Sequence, residues 1–343
     1  MSENSIQKIE SKVRNQLLSQ KVGFLLGAGS SYLAGAGYPL ASQLWDQISD
    51  DIPPTERTEI QDKLDGGALG IEHALDLLDK GEVQEQPHRH SVVTAIANHF
   101  SGLTPPTAKH QEFVSLLARR NEQSPIKIFS LNYDPLLEVA AELESVRLFD
   151  GFHGHNCAFF DPTSFQHTLV MRGRTFRGRR TREVSGSLRL FKLHGSMGWY
   201  MDDELGIRRC GFTNPIPAQA KRLMIPPQYR KAQDTGKAPY SSLWSEFRSS
   251  LIYGDDPLMR LVALGYGMAD QHVNVEIESA LARPNFSLLI LTKELSDDAF
   301  QAWSGRERVQ IVTEARSSID KEIGPGHPDL SVFEGFIEGL KQW

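Results

Sequence analysis

The chain has 343 residues, 40% hydrophobic and 23% charged, an ordinary globular composition long enough for one large domain or two. A formal net charge of −6 gives no global attraction to nucleic acid or to an anionic membrane surface. No apolar stretch approaches the roughly 20 residues needed to cross a bilayer. The polar, charged Met1–Gln20 does not read as a signal peptide, so a cytoplasmic protein without a membrane segment is expected. Two cysteines, Cys157 and Cys210, cannot supply a four-cysteine zinc site and imply no structural disulfide.

In chain order, Ile9, Val13, Leu17 and Leu18 predict a short amphipathic helix with all four on one face. The apolar run Val22-Gly23-Phe24-Leu25-Leu26 predicts a buried strand, followed by Gly27-Ala28-Gly29-Ser30-Ser31 and then Gly35, Gly37 and Pro39. A glycine turn after a buried strand lets backbone N–H groups approach a pyrophosphate. Gly27 and Gly29 supply only the first half of a dinucleotide fingerprint, since Tyr32 stands at the third glycine position. A strand-to-helix turn with no ligand is therefore the bland alternative. Leu40, Leu44, Trp45 and Ile48 predict a helix over Leu40–Ile48. Ile71, Ala74, Leu75, Leu77 and Leu78 predict another, and Val92–Phe100 a third. Thr104-Pro105-Pro106-Thr107 caps a helix carrying Phe113, Leu116 and Leu117. Residues 46–125 thus read as a helical insertion.

Ile126–Leu131 predicts a second strand ending in Asn132-Tyr133-Asp134, with a helix over Pro135–Leu143, Pro135 at its first position and Asp134 as its cap. Residues 146–190 are rich in aromatics, glycine and arginine and predict short strands and hairpins. Six arginines (Arg172, Arg174, Arg177, Arg179, Arg180 and Arg182) surround Phe176 there, and a solvated hairpin is favoured over a phosphate-binding edge. Leu188–Leu193 predicts a strand ending in His194-Gly195-Ser196. An imidazole is the natural proton acceptor near neutral pH, whereas Ser196 lacks the flanking glycines of a nucleophile elbow. A helix is expected over Ser241–Ile252 and strands over Arg260–Leu264, Phe286–Leu291 and Val309–Val312. The first of these strands, Arg260–Leu264, is followed by a fourth candidate stretch, Gly265-Tyr266-Gly267-Met268-Ala269-Asp270-Gln271-His272-Val273-Asn274. Asp270 and Asn274 there open a helix, and His272 has no partner at metal spacing. In an open parallel α/β sheet, strand carboxyl ends converge on the ligand crevice. An amide, a carboxylate and an imidazole would then meet beside a glycine turn.

The four stretches Gly27-Ala28-Gly29-Ser30-Ser31, Ser130-Leu131-Asn132-Tyr133-Asp134, Leu193-His194-Gly195 and Gly265–Asn274 resemble, in this order, the motifs of the sirtuin-like (silent information regulator type) NAD-binding family. The resemblance runs from about Lys21 to Asn274 and implies a Rossmann-like parallel sheet flanked by helices, in one domain over residues 1–343. Departures from the pattern are the absence of the cysteines for a zinc ribbon, a longer loop in which Pro39 is followed by Leu40-Ala41-Ser42, and Ser130 in place of threonine. These put peptide deacylation in doubt. What the resemblance implies is an NAD+ glycohydrolase without a metal, of the bacterial anti-phage (abortive infection) branch. Asn132, His194 and Asp134 would be catalytic. Gly27, Ala28, Gly29, Ser30, Ser31, Pro39, Gly265, Tyr266 and Asp270 would bind the dinucleotide, with Gly265 and Asp270 by the adenosine half. A homo-oligomer and a separate ATPase or nucleic-acid-binding sensor subunit are the implied partners. Rival expectations are an NAD-dependent deacylase or ADP-ribosyltransferase, a non-catalytic NAD or ADP-ribose sensor, and nucleic-acid processing through the arginine-rich segment.

Overall fold

The computed structural model describes residues 3–78, 87–120, 125–154, 157–167, 169–175, 178–212, 215–217, 220–226 and 236–342. Its strands are β1 (Val22–Leu26), β2 (Ile126–Ser130), β3 (Arg147–Phe149), β4 (Phe152–His153), β5 (Ala158–Phe160), β6 (Val170–Thr175), β7 (Gly178–Glu183) and β8 (Ser187–Lys192). They continue with β9 (Gly195–Asp202), β10 (Gly206–Arg209), β11 (Lys221–Met224), β12 (Arg260–Leu264), β13 (Ser287–Leu291), β14 (Val309–Val312), β15 (Arg316–Ile319) and β16 (Glu322–Pro325). The main sheet runs β16-β15-β14-β13-β12-β1-β2-β8-β3, parallel from β14 to β3, with β15 and β16 antiparallel at one edge. β1, β13 and β14 are buried along their whole length, as strands covered on both faces must be. Their continuous Val, Leu and Ile content is what makes them strands rather than amphipathic helices.

Phe24, Leu26, Ile128 and Leu190 face one hydrophobic layer, while Leu25, Phe129, Phe191 and Ala263 face the other. The first layer takes helices α1 (Glu3–Leu17), α3 (Ala41–Ile48), α4 (Pro54–Asp65), α5 (Ile71–Leu78), α6 (Pro87–Ser101), α7 (Ala108–Ala118), α8 (Leu136–Leu143) and the C-terminal α12 (Phe333–Gln342); α2 is the single turn Gly29–Tyr32. The second takes α9 (Tyr240–Arg248), α10 (Gln271–Leu281), α11 (Asp297–Ser304) and Trp199 of β9. β9 belongs to a small antiparallel sheet, β11-β9-β10-β5-β4. β6 and β7 pair only with each other, so the arginine-rich stretch is a hairpin; Arg177 and Phe176 lie outside the described residues. No helix among the described residues is long and apolar enough to cross a membrane.

Several expected boundaries move for local reasons. Leu18 falls just past α1 and is exposed, because a helix ending at Leu17 no longer carries it onto the apolar face. Leu77 is exposed too; Ile71, Ala74 and Leu75 form the buried stripe of α5. α8 begins at Leu136, with Pro135 in the capping place, and Asp134 Oδ1 accepts from Leu136 N at 3.1 Å. Thr107 precedes α7, but its hydroxyl accepts from the Gln111 side chain at 3.1 Å rather than from a backbone N–H. The helix expected to reach Ile252 is α-helical only to Arg248 and then widens into a π-turn over Ser249–Tyr253.

His110 of α7 is buried against Phe333 of α12, with ring centroids 4.7 Å apart. Burial lowers its pKa to about 3. Between about pH 6.5 and 3 the unfolded chain therefore binds a proton that the folded chain refuses. Stability is full above the unfolded value and falls as pH drops through this window. Replacing His110 with leucine should flatten the acid limb of a urea-midpoint-versus-pH curve; an unchanged limb would mean that His110 is not its source.

Candidate functional site

One row of register partners crosses the sheet: Leu291, Leu264, Leu26, Ser130 and Lys192. One residue further on, Gly265 N donates to Leu291 O at 2.8 Å and Gly27 N to Leu264 O at 3.0 Å. Leu131 N donates to Leu26 O and Leu193 N to Ser130 O, both at 2.9 Å. The four motif-bearing loops thus leave the sheet at one level. From β1 the chain builds outward to β2 and β8 on one side and to β12, β13 and β14 on the other, so strand order reverses between β1 and β12. Such a reversal opens a crevice at the carboxyl ends of a parallel sheet.

The loops after β1 and β12 meet at this reversal without side chains between them. A Cβ on Gly27 would lie 2.7 Å from Gly265 O and from Tyr266 Cα, and one on Gly29 2.8 Å from Gly265 Cα. Gly265 itself has φ +61, which L side chains rarely adopt. Gly29 N donates to Gly265 O at 2.9 Å, Ser30 N to Gly27 O and Ser31 N to Ala28 O at 3.0 Å. The N–H groups of Gly27, Gly29, Ser30 and Ser31 are bonded within the fold, to the carbonyls of Leu264, Gly265, Gly27 and Ala28. The glycines are required by contact between the two loops.

Asn132 Nδ2 lies 3.0 Å from Gly27 O, 3.2 Å from Ser30 Oγ and 2.9 Å from Ser31 Oγ. A carbonyl can only accept, so the amide nitrogen must face the glycine turn, and the orientation of the group is fixed. The buried hydroxyls of Ser30 and Ser31 therefore hold Asn132. Its Oδ1 points to the other side of the amide.

His194 and Asp270, expected in different parts of the site, are in contact. His194 Nε2 lies 3.1 Å from Asp270 Oδ2, and both side chains are buried. The other oxygen, Oδ1, accepts from His272 N at 3.1 Å and Val273 N at 3.5 Å, capping α10. These backbone donors fix the carboxylate at the helix N-terminus. The loop carrying Asp270 is locked by Tyr266, whose hydroxyl lies 3.0 Å from Asp270 N, Asp270 O and Asn274 Oδ1; Asn274 Nδ2 donates to Met268 O at 2.8 Å. Burial, reinforced by the negative charge of Asp270 and Glu72, pushes the Tyr266 and Tyr133 hydroxyls well above the usual tyrosine value. Both remain protonated donors at neutral pH.

Residues 126–304 match the family model described as "SIR2-like domain". The chain belongs to the SIR2-like family. No curated protein sequence matches it. Solved structures similar to it include a mutant Sir2 homologue in complex with ADP ribose, 11% identical over 100% of this chain and 97% of that chain at TM-score 0.49. Another is Sir2Tm bound to a propionylated peptide, 12% identical over 98% of each chain at TM-score 0.44.

This SIR2-like site rests on an ion pair that motif reading missed. Lys192 Nζ, in the last position of β8, donates to Glu138 Oε1 at 3.0 Å, to Tyr133 O at 3.3 Å and to Asp134 O. Both charged side chains are buried, at 1% and 5% exposure, which commits each to its partner. The Tyr133 carbonyl also accepts from Ser196 Oγ at 3.0 Å and Met197 N at 3.2 Å, and the Tyr133 hydroxyl donates to Ile225 O. Ile225 N in turn donates to His194 O at 2.9 Å. The Asn132 and His194 loops are thereby bonded to one another. Asp134 is buried and spends Oδ1 on the α8 cap. Tyr38 lies near enough to Asp134 and Glu138 for their charge to add to burial in raising its hydroxyl. Pro39 is half-buried in the connection to α3, apart from these bonds. Signals for the missed pair were present: a lysine closing an otherwise apolar strand, and a lone glutamate in Leu136-Leu137-Glu138-Val139-Ala140-Ala141. Among the described residues no group of three or more His, Cys, Asp or Glu could hold a metal ion.

Lys192→Met leaves Glu138 charged and buried and should cost about 3–5 kcal/mol in denaturant unfolding. Adding Glu138→Leu should recover most of that loss. Equal destabilisation in the single and double variants would show that the pair carries no such coupling.

Proposed function

We propose that this SIR2-like chain cleaves the nicotinamide–ribose bond of NAD+ with water, giving nicotinamide and ADP-ribose. The observation that carries this reading is the His194–Asp270 contact, at 3.1 Å, in a loop hydrogen-bonded to the one that presents Asn132. Nicotinamide leaves as a neutral group from a cationic one, so the bond breaks with little nucleophilic push. The site must then stabilise an oxocarbenium-like ribose and deliver water.

Each residue has a task on this reading. His194, with Nε2 3.1 Å from Asp270 Oδ2, accepts a proton from water or from a ribose hydroxyl. Asp270 then stabilises the imidazolium that forms. Asn132, its nitrogen held by Gly27, Ser30 and Ser31, turns Oδ1 to the ribose or the attacking water. Asp270 and Glu72 supply negative charge that favours a cationic ribose. Gly27, Ala28 and Gly29, with only one methyl group among them and Gly265 beside them, form a surface of small residues for the pyrophosphate half, and Pro39 follows in the same connection. Ser30 and Ser31 act through Asn132, Tyr266 through Asp270, and Asp134 by shaping the Asn132 loop. The sequence resemblance further supports a role as an NAD-depleting anti-phage effector that assembles as an oligomer and answers to a partner subunit.

Purified protein incubated with NAD+, with and without products of neighbouring genes, should release nicotinamide and ADP-ribose. Asn132→Ala or His194→Ala should lower turnover by roughly 10²–10⁴-fold. Asp270→Asn should cost a comparable factor in kcat with little change in melting temperature, since the amide oxygen retains the α10 cap. Full activity in the Asn132→Ala, His194→Ala double variant would remove the assignment. Acyl-lysine-dependent formation of O-acyl-ADP-ribose would select the deacylase instead, and tight NAD binding without turnover would select a sensor.

A further inference from the structure

The chain's two cysteines lie outside the site described above, and the small antiparallel sheet brings them together. On β10 and β5, Arg208 pairs with Phe159 and Arg209 with Ala158. One more step along the same antiparallel ladder sets Cys210 opposite Cys157, on one face of the sheet. Two side-chain contacts agree with that placement. Cys157 Sγ lies 3.4 Å from the Tyr200 hydroxyl, and Tyr200 is the β9 partner of Arg208. Cys210 Sγ lies 3.5 Å from Gly198 O, two residues back on the same strand and therefore on the same face as Tyr200. Directly opposed residues of antiparallel strands have Cβ atoms about 4.5–5.5 Å apart. A disulfide needs about 3.5–4.5 Å, so a small closing movement suffices.

We infer that Cys157 and Cys210 form an oxidation site that closes to an intramolecular, cross-strand disulfide. Their environments divide the work. Cys157 is exposed and meets the oxidant, whereas Cys210 is buried beside it. Burial raises the Cys210 thiol, which keeps it protonated and unreactive until a partner arrives. The hydrogen bond with Cys157 pushes the Tyr200 hydroxyl up to about 12, so at neutral pH Tyr200 stays a neutral phenol beside the exposed sulfur.

The oxidant is a peroxide. The Cys157 thiolate attacks a peroxide oxygen, the O–O bond breaks, hydroxide leaves, and Cys157 becomes a sulfenic acid. The Cys210 thiolate attacks the sulfenic sulfur; the S–S bond forms as the S–O bond breaks and a second hydroxide leaves. The two thiol protons neutralise the two hydroxides. In sum, two thiols and hydrogen peroxide give one disulfide and two waters, and a dithiol reductant reverses the change. The closed loop runs from residue 157 to 210 and contains β8, the His194 turn and β9. The bond would therefore tie β5 to β10, the partner of the β9 strand that follows the His194 turn. This inference is independent of the reaction proposed for the site.

The full chain treated with hydrogen peroxide should lose both titratable thiols together, remain a single chain on non-reducing electrophoresis, and yield a peptide linking Cys157 to Cys210. Dithiothreitol should restore both thiols. In Cys210→Ser a dimedone-reactive sulfenic acid should accumulate at Cys157, whereas the unaltered chain should show none at the end point. Persistence of Cys157 sulfenic acid with Cys210 still titratable in the unaltered chain would overturn the inference. So would a disulfide found only between two chains.

Discussion

Two backbone loops approach each other at the strand-order reversal so closely that neither Gly27, Gly29 nor Gly265 could carry a side chain without forcing them apart. This contact fixes the height and spacing of everything built above the sheet edge. A Cβ 2.7–2.8 Å from a backbone atom cannot be relieved by rotating a flexible side chain; one loop must move. Gly27 O, held in place by that contact, is one of the three acceptors that orient Asn132. The loop on the other side of it carries Tyr266 and, four residues later, Asp270. Amide and imidazole are thus aligned through one shared piece of backbone.

Around this contact the molecule spends buried polar groups on holding loops still. Lys192 and Glu138 are charged and almost without solvent access, and Lys192 pairs with the Glu138 carboxylate while also gripping two carbonyls of the Asn132 loop. A buried pair of this kind contributes little net stability compared with apolar residues of the same volume, but it tolerates only one arrangement of its neighbours. Tyr133 and Tyr266 behave alike: burial and nearby carboxylates keep each hydroxyl protonated, and each bonds loop backbone, Tyr133 that of a neighbouring loop and Tyr266 that of its own. Side chains that approach a substrate gain from a scaffold with a single low-energy geometry.

Much of the architecture was legible in periodicity. The largely apolar runs Val22–Leu26, Arg260–Leu264 and Val309–Val312 became strands with the expected ends, in a sheet that is parallel from β14 to β3. Ends set by capping were read less well. α8 begins one residue later than expected, at Leu136, and the Thr107 hydroxyl accepts from the Gln111 side chain rather than from a helix N–H. The candidate site was legible as a set of residues but not as a network. The contacts of Ser30 and Ser31 with Asn132, and of Asp270 with His194, could not be read from the motifs that carry these residues. Glu138 and Lys192 were passed over because charge inside an apolar pattern looks like an interruption until its partner is seen.

The amino-acid order alone determined which strands are buried on both faces, where glycine turns end them, and that an asparagine and a histidine stand at two such ends. Those properties are local, set by side-chain period and by the backbone freedom of glycine. Only the tertiary structure decided that positions 194 and 270, far apart in the chain, form one contact, and that positions 157 and 210 come to neighbouring ends of two paired strands. Strand order and register set such distances, and they emerge when the whole chain buries its two apolar layers at once.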